Sequence, residues 1–85
     1  MTVRELWGHL LADYAIQPGP WLEALTTATV SAAVVNGATT ITAATGSPWL
    51  PWMRKQLAPG ASRTARAMAG RRVVVRFAGV GEVGA

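Results

Sequence analysis

The sequence predicts an α+β domain in which helices cover one face of a three-stranded sheet, in the order α-α-β-β-α-β. Three observations support this fold class. Asn36-Gly37 separates two stretches of alternating side chains, which is the strongest short-range signal of a β-hairpin. A valine-rich stretch, residues 72–78, alternates in the same way near the end of the chain. Residues 2–15 and 61–69 have the apolar spacing of helices.

The first helix is predicted over residues 2–15. Thr2 and Glu5 have the spacing of a capping box, in which the Glu5 amide donates to the Thr2 hydroxyl and the Thr2 amide donates to the Glu5 carboxylate. Pro18 and Pro20 should end this helix, because neither has an amide hydrogen. One apolar stripe should face the sheet: Val3, Leu6, Leu10 and Tyr14.

A short second helix is predicted over residues 20–27, with Gly19 as its cap and Trp21 in the core. In the hairpin that follows, a two-residue turn pairs Val35 with Ala38 and so fixes the register of both strands. Because one face is apolar and the other mostly small and polar, we expect the helices to cover the apolar face. The apolar face comprises Val30, Ala32, Val34, Ile41 and Ala43, and the other comprises Ser31, Ala33, Thr40 and Thr42.

A third helix is predicted to begin at Pro48, with Ser47 as its N-cap. Pro59-Gly60 interrupts this helix, so either it kinks there or another helix begins at Pro59. Gly70 should end the helical stretch. We expect residues 1–79 to form a single domain and residues 80–85 to form a flexible tail.

Composition argues against an enzyme. The chain has 85 residues, no cysteine and one histidine, so it has no disulfide, no thiolate zinc site and no cysteine nucleophile. Glu5, His9 and Asp13 recur every four residues, as on a solvated helix face with i,i+4 pairs. No glycine-rich phosphate loop precedes a helix. We therefore predict a non-catalytic protein without cofactor or metal. The absence of cysteine fits a reducing cytoplasm, and no apolar run reaches the ~20 residues of a membrane span.

The positive charge is unevenly distributed. The formal net charge is +4, and residues 54–76 carry several arginines and one lysine with no acid between them. This asymmetry indicates an anionic partner, either nucleic acid or an acidic protein surface, or else a solvated basic face that keeps the protein soluble.

These elements resemble the N-terminal domain of the bacterial replication initiator DnaA, a small KH-like module, over residues 2–79. That family has a Leu-Trp pair in its first helix, a tryptophan in its second, a polar hairpin turn and a tryptophan-containing start to its third helix. A glycine and an apolar-Arg-Phe strand follow. The corresponding residues here are Leu6-Trp7, Trp21, Asn36-Gly37, Trp49 with Trp52, Gly70 and Val75-Arg76-Phe77. Since the family's ATPase and DNA-binding domains have no counterpart, the resemblance implies a stand-alone or diverged relative.

In that family the domain is an interaction module that self-associates through its first helix and contacts the replicative helicase and regulatory proteins. The resemblance therefore implies a protein-interaction module of DNA replication initiation, which binds a helicase, an initiator or itself. Trp7 matches the family's self-association tryptophan; the alternative is that Trp7 is a core residue, since it lies next to Leu6 and one turn before Leu10 and Leu11. We predict a weak homodimer centred on Trp7, with Arg4 and Leu11 beside it on the same helical stripe. Trp49 should be partly exposed and available for contact, and Trp52 should lie inside.

The alternative is a small nucleic-acid-binding protein, or a helicase-loading adaptor of the DciA type, whose small KH-like domain is built from such elements. In that case the basic stretch would contact phosphates and tryptophan rings would stack on the bases of single-stranded DNA. The contacts would come from Arg54, Lys55, Arg63, Arg66, Arg72 and Arg76.

Overall fold

The computed structural model describes residues 2–15, 19 and 21–81. The predicted helix stop at Pro18 and Pro20 and most of the predicted tail, residues 82–85, lie outside the described residues, as does the Trp21 side chain. The fold is α+β, as predicted, with the third helical stretch divided into three parts. Its elements are α1 (Val3–Ala15), α2 (Trp21–Thr27), β1 (Thr29–Val35), β2 (Ala38–Thr45), α3 (Leu50–Trp52), a π-helical turn (Met53–Leu57), α4 (Ala58–Ala69) and β3 (Val73–Gly79).

The predicted capping box at the start of α1 is confirmed. The Thr2 amide donates to Glu5 Oε1 over 3.1 Å, and the Glu5 amide donates to Thr2 Oγ1 over 3.2 Å. Because the backbone hydrogen bond favours the charged carboxylate, the pKa of Glu5 is lowered. Two of the amides that a helix start leaves unpaired are thereby satisfied.

The hairpin register is also confirmed. β1 and β2 pair antiparallel with Val35 opposite Ala38, and Asn36 and Gly37 have φ of 51° and 79°. Positive φ at both turn residues is the conformation that a two-residue hairpin with native twist requires. β3 then pairs parallel with β2, so the sheet order is β1-β2-β3 and the α3–α4 stretch forms the crossover.

The helices cover β2 and β3, and the expectation that they cover the whole apolar face of the hairpin is wrong for Ala32 and Val34 of β1, whereas Val30 packs against the core. Ile41 and Val75 are fully buried, whereas Ala32 is exposed and Val34 is 75% exposed on the same face. The reason is that β1 packs chiefly on β2 and extends beyond the edge of the helical layer. The buried core comprises Leu6, Trp7, Leu10, Leu25, Ile41, Met53, Ala61, Ala65, Val73, Val75 and Phe77, with several smaller residues.

The third helix begins at Leu50, two residues later than the predicted start at Pro48. Ser47 accepts hydrogen bonds twice: its Oγ from the Trp49 amide over 3.1 Å and its carbonyl from the Leu50 amide over 3.2 Å. These bonds close a turn that contains Pro48, and the helix starts only after that turn.

A π-helical turn resolves the alternatives that Pro59 left open. The Ala58 amide donates to the Met53 carbonyl, five residues back, and α4 then starts with Pro59 in its first turn. Since a proline ring collides with the carbonyl four residues earlier, the wider turn lets the helical path continue without a break. Gly70, at φ 67°, ends α4 as predicted.

Candidate functional site

A groove of about 500 Å³ lies between α1 and β1. It brings together the three residues of α1 that the sequence predicted to share an interaction stripe. They face residues from the start of β1 across the groove. The lining includes Arg4, Trp7, Leu11, Ala28, Val30 and Ala32. Arg4 is exposed, Leu11 is half-buried and most of the lining is apolar, which are the features of a small surface that can receive an apolar side chain.

Trp7 forms a wall of this groove and does not protrude from the surface. It is only 9% exposed and belongs to the core, whereas Val3 and Tyr14, which were predicted to face the sheet, are half-buried. The buried stripe of α1 is thus rotated towards Trp7. Contact between Trp7 and a partner stays a prediction, and only a small part of the side chain is accessible for such a contact.

Trp49 and Trp52 pack edge to face, with ring centroids 6.2 Å apart and an interplanar angle of 87°. Trp49 is 42% exposed, as predicted, whereas Trp52, which was predicted to lie inside, is only half-buried against the core. Trp49 lines a different hollow, beside Glu23 and Thr45. The structure therefore does not bring Trp49 to the groove between α1 and β1.

The free edge of β1 is an exposed apolar feature that our sequence analysis missed. Val34 and Val35 are 75% and 51% exposed, and residues 29–35 contain no charged side chain and no proline. Natural proteins usually protect an edge strand with charges, prolines or bulges. The absence of charge from the strand is the signal that could have identified this edge from sequence.

The outer edge of β3, in contrast, is closed by side chains from the helical crossover, which form hydrogen bonds with its backbone groups. Ser62 Oγ accepts a hydrogen bond from the Val75 amide over 2.9 Å and donates one to the Val75 carbonyl over 3.3 Å. Arg54 Nε donates to the Phe77 carbonyl over 3.0 Å, and Arg66 Nε donates to the Val73 carbonyl over 3.2 Å. No sequence pattern indicated this role for Ser62, which is buried in α4.

The basic residues divide into two groups. Arg54, Arg63 and Arg66 line a shallow groove of about 390 Å³ along the β3 edge. Arg72 precedes β3, Arg76 lies opposite Thr42 on the face away from the helices, and Lys55 is exposed on the π-helical turn. Three of the six predicted nucleic-acid contacts therefore share one surface.

Comparison with protein-family models, with curated proteins and with solved structures finds no match to this chain. Within residues 2–15, 19 and 21–81, no helix has the length and apolar character needed to cross a membrane. In the same residues, no three His, Asp or Glu side chains come together as a metal site would require.

Proposed function

We propose that this chain is a small non-catalytic protein-interaction module of DNA replication initiation, with a KH-like fold that resembles the DnaA N-terminal domain. Its partner is a replicative helicase, a replication initiator or a second copy of the chain. The observation that carries the proposal is the groove in which Arg4, Trp7 and Leu11 face β1. The resemblance implied Trp7, the helical spacing added Arg4 and Leu11, and these three residues line one groove.

The chemistry of the groove defines what it would bind. Its apolar walls favour an aliphatic or aromatic side chain from the partner, because burying such a group removes apolar surface from water. Arg4 is exposed at the same groove, so an acid next to that side chain would add an ion pair at the rim. Arginine and tryptophan are typical anchors of protein interfaces.

A binding experiment, in which the full chain is used to capture a purified replication protein, tests this function. We expect the chain to bind the purified replicative helicase or initiator of its own host, and Arg4→Glu to weaken that binding at least tenfold. Arg63→Glu is the matched control, because it makes the same charge reversal at an exposed residue of α4, away from the groove between α1 and β1. Equal binding by both variants, or no binding of either replication protein by the wild type, would contradict the proposal.

The second candidate function is binding of single-stranded nucleic acid along the β3 edge. The observation that favours it is the convergence of Arg54, Arg63 and Arg66 on one groove, and no acid is among the described residues that line this groove. Guanidinium groups in such an arrangement can follow a phosphate backbone.

The same two variants separate this function from the first. Binding of a single-stranded oligonucleotide should weaken with salt, with a log-log slope of about −0.7 for each phosphate contacted. Arg63→Glu should lower both the affinity and the slope, while Arg4→Glu should change neither. No binding at low salt would eliminate this candidate.

A further inference from the structure

Alternate residues of β1 direct their backbone groups away from the sheet. In a hairpin with a two-residue turn, the pair that flanks the turn exchanges both of its hydrogen bonds, so Val35 and every second residue before it face β2. The N–H and C=O groups of Val30, Ala32 and Val34 therefore point outward. Within the described residues, none of these groups forms a backbone hydrogen bond outside the β1–β2 ladder.

The two edges of the sheet are thus in opposite states. On β3, Ser62 and two arginines occupy the outward backbone groups. On β1, these groups stay open along an uncharged strand whose Val34 and Val35 side chains are more than half exposed. An open, apolar edge is a surface for strand pairing.

The same strand carries a projecting side chain and a recess that can receive it. Val34 projects from the helix-covered face, and Val30 and Ala32 line the groove on that same face. If two β1 strands pair antiparallel about Ala32, Val34 of one copy lies directly opposite Val30 of the other. Each projecting valine then lies at the groove of the other copy, and the relation is reciprocal, as a two-fold interface requires.

We propose that β1 pairs antiparallel with β1 of a second copy, about a two-fold axis at Ala32, so that the two sheets become continuous and Val34 of each copy enters the groove of the other. This inference deepens the proposed function by naming a second copy as an occupant of the groove. It also replaces the helix-centred dimer with one in which Trp7 contributes only a wall.

Charge and area both favour a second copy at this edge. Two chains of net charge +4 repel each other. Strands β1 and β2 carry no charged residue, so the β1 edge is a place where two copies can approach with little repulsion. Arg54, Arg63 and Arg66 lie at the opposite edge of the sheet, so this orientation keeps them far apart. One short strand and one valine on each side bury less than the ~1,200 Å² of a standard interface. We therefore expect a dissociation constant in the micromolar range.

Sedimentation velocity of the full chain over a concentration series tests the proposal. We expect reversible conversion from monomer to dimer, with no larger species, because pairing uses up the open edge of both copies. Val34→Lys should raise the dissociation constant at least tenfold, since it brings a charge to the apolar groove of the other copy. Val34 is largely exposed in the monomer, so this variant should stay folded.

Val74→Lys is the matched control. It replaces another exposed valine, on β3, whose backbone groups face β2, and it should leave dimerisation unchanged. Amide hydrogen exchange provides a second measurement: protection of Val30, Ala32 and Val34 should rise with concentration. A dimer formed through α1 alone would leave the exchange of these three amides unchanged.

The outcomes separate this inference from the proposed function. A wild type that stays monomeric, a dimer insensitive to Val34→Lys, or exchange of the three amides that does not depend on concentration would overturn the strand-paired dimer. If such a monomer still captures a replication protein, the proposed function stands alone. If a strand-paired dimer forms and captures no replication protein, the dimer stands and the replication role fails.

Discussion

At the residue scale, Tyr14 illustrates how partial burial changes an ionisation. It lies half-buried near the end of α1 and packs against the core. Desolvation, with a smaller effect from the Asp13 carboxylate, raises the pKa of Tyr14 from 10.0 to about 12. Because the raised pKa belongs to the folded state, the neutral phenol contributes stability below pH ~10, and this contribution is lost as the pH rises through ~12.

Spectrophotometric titration of the tyrosinate band should report this shift directly, because Tyr14 is the only tyrosine in the chain. We expect a midpoint near 12 in the folded protein and near 10 in denaturant. Asp13→Asn should lower the folded midpoint only slightly, since burial is the larger cause. A folded-state midpoint near 10 would mean that the ring is solvated.

At the element scale, two glycines on helices have opposite roles. Gly8 lies inside α1, and a Cβ added there would meet nothing within 4 Å. Gly70 ends α4 at φ 67°, where an L side chain is strained even though the space around it is open. The effect of an added side chain on stability is therefore set by helix propensity at Gly8 and by the left-handed backbone conformation at Gly70.

Replacement of each glycine by alanine should change stability in opposite directions. Gly8→Ala should stabilise the fold by about 0.5–1 kcal/mol, because alanine has the higher helix propensity. Gly70→Ala should destabilise it by about 1 kcal/mol through the left-handed conformation. Urea unfolding of the two variants beside the wild type would measure both effects, and changes of the same sign would refute this account.

At the scale of the whole molecule, side-chain hydrogen bonds close the β3 edge of the sheet, while the β1 edge is open. Closure of β3 depends on Ser62, which lies on α4, thirteen residues before Val75, and bonds both backbone groups of that residue. A protein with one open edge forms a closed pair, whereas a protein with two open edges could add copies at both ends.

Ser62→Ala should therefore have two effects. The free energy of unfolding should fall by about 1–3 kcal/mol, because the Val75 amide and carbonyl lose their buried partner. Species larger than a dimer should also appear as concentration rises. Ser31→Ala, an exposed serine on β1, is the control and should change stability little. Unchanged stability of Ser62→Ala in urea would show that water replaces the hydroxyl at this edge.

The features that sequence predicted correctly are governed by neighbouring residues. The Thr2–Glu5 capping box, the Asn36-Gly37 turn with its register, and the helix end at Gly70 each involve atoms a few residues apart. Alternation along the hairpin identified which side chains share a face. These interactions depend on local dihedral angles and spacing, which the sequence specifies directly.

The features that sequence could not predict depend on where whole elements lie. Alternation cannot show that the helices leave Ala32 and Val34 of β1 uncovered, and so Val34 was assigned to a covered face. The periodicity of α1 defines an apolar arc, but only docking on the sheet selects Trp7 rather than Val3 for burial. The contact of Ser62 with Val75 spans a turn and two elements. The sequence by itself determined the order of the helices and strands and the register of the hairpin. Tertiary packing decided which edge of the sheet is open, because burial depends on the positions of all elements together.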